Sequence, residues 1–160
     1  TEQIADIAHI KRLRIHTRLP VVIPSRIDSK FLSWASATRL KPIVVLHINH
    51  ANEIDNDVSE SIKRLQSCGI KVLNQSVLLR GINDSADCLA ELSEKLFDCD
   101  VMPYYLHLFD PVAGASHFDI EEQRAKKIYA DLQAILPGFL VPKLVREIPN
   151  KKSKTTIAPE

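Results

Sequence analysis

Short apolar runs and longer amphipathic stretches take turns along the chain. Arg12 to Arg18 (RLRIHTR) switches between polar and apolar at almost every residue, the period of a strand, and Pro20 and Pro24 break it. Ser29 to Leu40 predicts a helix with Phe31, Leu32 and Trp34 among its apolar positions. Pro42 stops that helix, and the unbroken apolar run Ile43 to Ile48 predicts a strand buried on both faces. His50 to Asp57 reads as a polar loop, and a helix follows from about Val58 to Ser67, ended by Gly69. The order then recurs. Ile70 to Leu79 is a strand, Arg80 to Asp84 a loop, and Ser85 a suitable cap for a helix reaching about Phe97. Val101 to Phe109 is the next strand, Asp110 to Asp119 a loop, and Ile120 to Ile135 a helix closed by Pro137-Gly138. Phe139 to Ile148 is a last strand, and Pro149 to Glu160 a polar tail.

Strands and helices alternate with no hairpin signal between them. That order predicts an α/β fold of parallel strands joined by right-handed helical crossovers. An open doubly wound sheet would need a glycine-rich phosphate loop after a strand; none of the 4 glycines forms one. An arc of a TIM-type β/α barrel fits better. A closed barrel takes about 250 residues, so the 160 residues here are expected to form only part of one. The division is a partial barrel over 1–148 and a tail over 149–160.

Composition narrows the function classes. The hydrophobic share is 45%, the charged share 26% and the net charge +1. Such a balance gives no global field to recruit nucleic acid or an acidic membrane. The apolar runs are too short to span a bilayer, no signal segment opens the chain, and a cytoplasmic protein is expected. Cys68, Cys88 and Cys99 are scattered and odd in number, which argues against a disulfide framework or a zinc site. The chain opens at Thr1 rather than Met, a first hint of a partial chain.

The candidate chemistry gathers at strand ends, where β/α barrels place their sites. One end carries His47, Asn49, His50, Asn52 and Glu53. The next carries Asn74, Gln75, Arg80, Asn83 and Asp84; the third Tyr104, Tyr105, His107 and Asp110, with His117 beyond; the last Arg146 and Glu147. Polar groups inside apolar strands cost free energy unless paired, and a shared ligand pocket would pair them. Plainer readings stand beside this one. His47 and His50 lack a visible third metal ligand, so no metal site is expected. Asn83-Asp84 fits a turn and cap, Arg80 a loop tie, the tyrosines packing, and Lys151, Lys152 and Lys154 a solvated tail.

At these residues the chain resembles the lysine 2,3-aminomutase family. Asn74 to Asp84 (NQSVLLRGIND) is similar to the family's NQSVLLRGVND. His47 to Ile54 (HINHANEI) matches HxNHxNEI. Pro103-Tyr104-Tyr105, Asp110, Gly114 and His117-Phe118 follow its PYY…D…G…HF, and Pro20 to Ile27 resembles TPVVLPQRI. The likeness runs from about Arg12 to Thr155. Arg14 to Pro20, Tyr105 to Leu108 and Leu140 to Leu144 resemble most the bacterial branch that makes β-lysine for elongation factor P.

The resemblance implies a radical S-adenosylmethionine enzyme, an isomerase that uses a [4Fe-4S] cluster and pyridoxal phosphate to move the amino group of L-lysine from Cα to Cβ. It implies Lys154 as the lysine that carries pyridoxal phosphate, with Lys151 and Lys152 as rivals because Asn150 to Ser153 replaces the family's glycine run. It implies Asp110 and Glu147 as acids for the substrate's ε-ammonium; the second is Asp in lysine-catabolic members. It places His47 and Gln75 near S-adenosylmethionine. No CxxxCxxC for the cluster occurs in this chain. The cluster loop, an arginine for the substrate carboxylate and much of the cofactor-phosphate site are expected in a missing N-terminal half of the barrel. These 160 residues alone are expected to be inactive, and a homo-oligomer is left open. Two other readings stay open: a degenerate, non-enzymatic remnant that binds a ligand or partner, and a pyridoxal-phosphate protein without radical chemistry.

Overall fold

The computed structural model describes residues 2–110 and 112–158. Six strands form one sheet in sequential order: β1 (Arg12–Thr17), β2 (Lys41–Leu46), β3 (Lys71–Val77), β4 (Met102–His107), β5 (Lys143–Arg146) and β6 (Thr155–Thr156). β1 to β5 run parallel, and β6 returns antiparallel to β5. Helices are α1 (Glu2–Ala5), α2 (Leu19–Val22), α3 (Ser29–Ser36), α4 (Asn56–Ser67), α5 (Ala86–Asp98) and α6 (Glu122–Ile135). No described helix is long and apolar enough to cross a membrane.

Sequential parallel order decides between the two architectures. Right-handed crossovers between successive neighbours put every helix on one face of the sheet, whereas a doubly wound sheet reverses its order and covers both faces. The core lies on the helix side accordingly. Val44, Leu46 and Ile48 of the second strand and its tip pack against Val58, Ile62 and Leu65 of α4. Leu106, Leu108 and Leu144 pack against Leu89 of α5 and Ile128, Tyr129 and Leu132 of α6. The helical residues recur at three- and four-residue intervals, one stripe per helix. Burying each of these large side chains contributes about 1.5–3 kcal/mol.

The helix starts follow from local chemistry. Asp28 accepts a hydrogen bond from Phe31 N–H at 2.7 Å, Asp55 from Val58 N–H at 2.8 Å and Ser85 from Cys88 N–H at 3.3 Å, each satisfying an orphan donor of the first turn. Gly69, at φ +73°, ends α4 in the left-handed region.

The sheet curls. Six flat strands at about 4.8 Å spacing would set β1 and β6 roughly 24 Å apart, yet His16 on β1 lies in the electrostatic field of Lys154, next to β6. The face without helices is therefore the inside of a barrel arc.

Several boundaries differ from expectation. The third helix stops at Ser36 rather than Leu40, and the second strand begins at Lys41, so Pro42 lies inside it. The pairing of β2 with β3 begins only at Ile43, so the missing proline N–H costs no ladder bond on that side. Two short helices, Glu2–Ala5 and Leu19–Val22, carried no sequence signal, and Pro20 enters the second at its first turn, where proline is tolerated. The last strand is shorter than Phe139 to Ile148 because residues 138–140 form a 3-10 turn.

The polar tail is corrected. It turns at Pro149-Asn150, with Asn150 at φ +65°, and comes back to pair Thr155 with Arg146 and Thr156 with Val145. Ile157 packs into the second half of the core. Its last two residues lie outside those described.

Candidate functional site on the concave face

Alternation along each strand divides its side chains between the two faces. The concave face receives Arg12, Arg14 and His16 from β1, His47 from the tip of β2, Gln75 and Val77 from β3, and Tyr105 and His107 from β4. Register between β3 and β4 slips by one residue. Asn74 pairs with Pro103 and Gln75 with Tyr105, so Tyr104 is an extra residue. Bulges re-aim side chains, and this one brings Tyr104 and Tyr105 side by side, ring centroids 3.9 Å apart.

Near the strand tips a hollow of about 390 Å³ is lined by Asn49, Gln75, His107, Asp110 and Glu147, with apolar side chains between them. The Lys154 amine donates to the Glu147 carboxylate and stands 5.5 Å from the centroid of the Tyr105 ring. Burial lowers the proton affinity of Lys154; Asp110 opposes that shift and Arg14 adds to it. His107 is only 7% exposed, and its pKa is pushed down to about 4, first by burial and then by the Lys154 charge, against the pull of Asp110. Burial likewise lowers His47, with His16 and Arg18 adding to it, and lowers His16, with Arg14 and Lys154 adding to it. Burial thus disfavours the charged form of three imidazoles on a face that Lys154, Arg14 and Arg18 also make positive.

Three buried atoms here have no hydrogen-bond partner: Nε2 of His47, Oε1 of Gln75 and Nε2 of His107. The Gln75 amide still lies near enough to His16 to hold back part of that ring's fall in pKa. An unpaired buried polar atom costs about 1–3 kcal/mol. Three on one face of an otherwise satisfied sheet mark a surface shaped for another molecule.

The neighbouring motif residues hold the frame. Asn74 accepts from Ile48 N–H at 2.9 Å and donates to Ile48 C=O at 3.0 Å, replacing a backbone partner at the tip of β2. Asn83 accepts from Leu79 N–H at 2.7 Å and donates to the carbonyls of Asn49 and Val77. Glu53 accepts from the N–H groups of Asn49 and His50 and pairs with Arg18. His50 Nδ1 accepts from Asn52 N–H at 3.0 Å, so its ring caps a turn and does not share a site with His47. Arg80 donates to the His117 carbonyl at 2.8 Å, and Asp84 pairs with Arg124.

Of the residues singled out in the sequence, Gln75, Asp110 and Glu147 line one hollow, His47 lies on the same face, and Lys154 donates to Glu147. Lys151 and Lys152 are exposed, whereas Lys154 is half-buried. His16 and Arg14 were not singled out as site residues. Their signal was the alternation of Arg12-Leu13-Arg14-Ile15-His16, which sets three polar residues on one face. Cys68 and Cys99 pack against the helix-side core, and Cys88 lies at the start of α5. Among the described residues no group of three His, Cys, Asp or Glu side chains could hold a metal ion, so these residues do not fit an iron–sulfur cluster.

Comparison with known proteins shows what this sequence is similar to. The L-lysine 2,3-aminomutase of Buchnera aphidicola subsp. Baizongia pistaciae is 54% identical over 154 residues, covering 96% of this chain and 45% of the relative. That of Escherichia coli is 49% identical over 155 residues, covering 97% of this chain and 45% of the relative. In sequence, the chain is similar over nearly its whole length to the L-lysine 2,3-aminomutases. It spans about 45% of the length of these aminomutase relatives. No family model matches it. A radical SAM methyltransferase from Sphaerobacter thermophilus superposes with a TM-score of 0.55 at 18% identity, over 83% of this chain and 40% of that one. That likeness concerns the fold alone, and it supports the arc of a β/α barrel.

Proposed function

We propose that this chain forms the amine-binding wall of a lysine 2,3-aminomutase, an isomerase that converts L-lysine to β-lysine, in the branch that serves elongation factor P. The observation that carries the reading is the convergence of Lys154, Glu147 and Asp110 with three unpaired polar atoms on one concave face. Its sequence support is the identity to the aminomutase relatives.

The residues present fit pyridoxal phosphate. Lys154 is a half-buried amine whose proton affinity burial has reduced, which favours the neutral form that reacts with a carbonyl. When bound there, pyridoxal phosphate supplies a conjugated carbon–nitrogen system that delocalises an unpaired electron during migration of the amino group. Asp110 and Glu147 hold an ammonium at the strand tips, and two carboxylates facing one cation select a lysine-length substrate by charge and reach. His107, neutral at pH 7, adds no competing positive charge. Tyr105 gives the Lys154 stem an aromatic wall. His47 and Gln75 offer unpaired polar atoms to S-adenosylmethionine. The cluster's ligands belong, on this reading, to the part of the aminomutase relatives that this chain does not span, and that part is its partner in the barrel.

The test is made on the full-length gene product, reconstituted with iron and sulfide and supplied with S-adenosylmethionine, pyridoxal phosphate and L-lysine. β-Lysine should accumulate, and borohydride reduction should leave a pyridoxyl group on Lys154. Label on another lysine, or formation of β-lysine with Lys154 replaced by Ala, refutes the assignment.

A further inference from the structure

Around His47 the strand tips are held by side chains rather than by backbone pairing. The ladder between β1 and β2 ends with Thr17 opposite Leu46. Beyond it, the backbone of residues 47–50 is bonded by four side chains. Asn74 takes both backbone groups of Ile48. Asn83 donates to the Asn49 carbonyl at 2.8 Å. Glu53 accepts from the N–H groups of Asn49 and His50 at 2.7 and 3.0 Å. Arg18 donates through Nη1 to the His47 carbonyl at 2.9 Å and through Nη2 to the Glu53 carboxylate.

Local structure aims Arg18. Thr17 Oγ1 accepts from Leu19 N–H at 3.0 Å, and the Arg18 carbonyl accepts from Val21 N–H at 3.0 Å. The chain therefore turns straight from β1 into α2, with Arg18 at the corner. From there one guanidinium reaches two acceptors on the neighbouring tip, and its planar fork fixes their relative position. The side chains of Arg18 and Glu53 are 47% and 20% exposed. An ion pair that open to solvent adds little stability. What it supplies is orientation.

The residue so oriented has an unfinished side chain. His47 Nε2 is buried and has no partner among the described residues. Its ring stands edge-on to His16, centroids 5.9 Å apart. Burial lowers its proton affinity, and His16 and Arg18 add to the fall. A peptide held at its carbonyl sets the direction in which the ring projects. Hydrogen bonds weaken steeply once their angle falls below about 120°, so rotation of this peptide would misaim Nε2.

We propose that Arg18, braced by Glu53, is a positioning residue for His47, holding its peptide so that Nε2 meets a polar atom of S-adenosylmethionine on the concave face. Arg18 acts through the His47 carbonyl and does not touch the ligand. The inference rests on the proposed function, in which His47 lies against S-adenosylmethionine.

The experiment is a double-mutant cycle on the full-length protein, reconstituted with iron and sulfide, with S-adenosylmethionine binding measured by equilibrium dialysis. R18A should weaken binding about tenfold in the wild-type background. In an H47L background the same substitution should cost less than about twofold, because the group it orients is gone. R18K keeps the charge without the fork and should recover part of the loss. Capture of pyridoxal phosphate at Lys154 should stay within about twofold in R18A. Equal weakening in both backgrounds, no weakening in either, or a parallel loss of pyridoxal phosphate capture overturns the inference and leaves the proposed function standing. If H47L alone binds S-adenosylmethionine as tightly as the wild type, His47 is not at the ligand, and that part of the proposed function falls together with this inference. If R18A does not fold, R18Q keeps a polar stem and carries the same cycle.

Discussion

The same strands carry two sets of polar residues with opposite states. On the helix side and at the tips, Asn74, Ser76 and Asn83 are buried and fully engaged with Ile48, Asn49, Val77 and Leu79. One residue along on the concave face, His47, Gln75 and His107 each hold a buried side-chain atom that no described residue satisfies. Polar residues in a strand thus have two origins. Those that replace a backbone partner hold the sheet tips together. Those left unpaired face a space that another molecule fills. Substitutions at the two sets should separate stability from binding.

The largest effect is expected on the binding side. Lys154→Ala removes the amine that donates to Glu147 and lies in the field of Asp110. Borohydride should then leave no pyridoxyl label in the C-terminal segment, and turnover of the full-length protein should fall on the order of 1,000-fold or more. Its melting temperature should stay near that of the wild type, because the amine is paired with a partly exposed carboxylate, and such pairs contribute little. A fall in turnover matched by a fall in melting temperature would put Lys154 with the structural set.

Next comes a pair of substitutions that inverts the outcome. Asn74→Leu leaves Ile48 N–H and C=O without their partners in a dry setting, at a cost of about 2–4 kcal/mol in denaturant unfolding. His47→Leu removes no such bond to the chain from the orphaned Nε2 and should move stability by less than about 1 kcal/mol while weakening binding of S-adenosylmethionine. Similar stability losses from both would erase the distinction between the two sets.

How much of this was legible beforehand follows the same division. The β/α order, the caps at Ser85 and the strand-tip clusters came from periodicity and residue type, because those signals are local. The bulge at Tyr104 did not, since one extra residue in a strand changes register without changing composition. The return of the tail was missed for a related reason. Thr155-Thr156 is too short to show alternation, and only Asn150 after Pro149 hinted at a turn. The role split within NQSVLLRGIND was also hidden. Asn74 and Gln75 are neighbouring amides, and only the face each occupies makes one a strut and the other a free acceptor. Family resemblance supplied Lys154 and Asp110; it did not show that Arg14 and His16 lie within electrostatic reach of Lys154 across the arc.

A pH dependence sharpens the comparison from a third side. His107 has a pKa of about 4 in the folded chain against 6.5 for an ordinary histidine. The folded state therefore binds fewer protons than the unfolded state between these values, and stability falls as pH drops through that window, by at most about 3 kcal/mol. Above the ordinary value the imidazole is neutral in both states and contributes no slope. His107→Gln keeps a neutral amide in the hollow and should flatten the unfolding free energy between pH 6.5 and about 4. Asn83→Ala, in the engaged set and adding no titratable group, should lower stability without flattening it. An unchanged slope in the glutamine variant would mean that His107 is not held neutral by its surroundings.

The smallest expected effect tests the choice among the tail lysines. Lys151 and Lys152 are exposed at the turn before β6, and neither side chain has a partner among the described residues, whereas Lys154 is half-buried and directed to Glu147. Exposed side chains away from caps and ion pairs change stability by about 0.5 kcal/mol or less. Replacing both with Ala should leave the Lys154 label, the melting temperature and the KM for L-lysine within twofold of the wild type. If instead the double variant loses the label while keeping its fold, one of the two exposed amines carries the carbonyl. The ammonium of Lys154 would then sit at Glu147 for structural reasons, as a strut at the rim, and the boundary between the two polar sets would have to be redrawn through the tail.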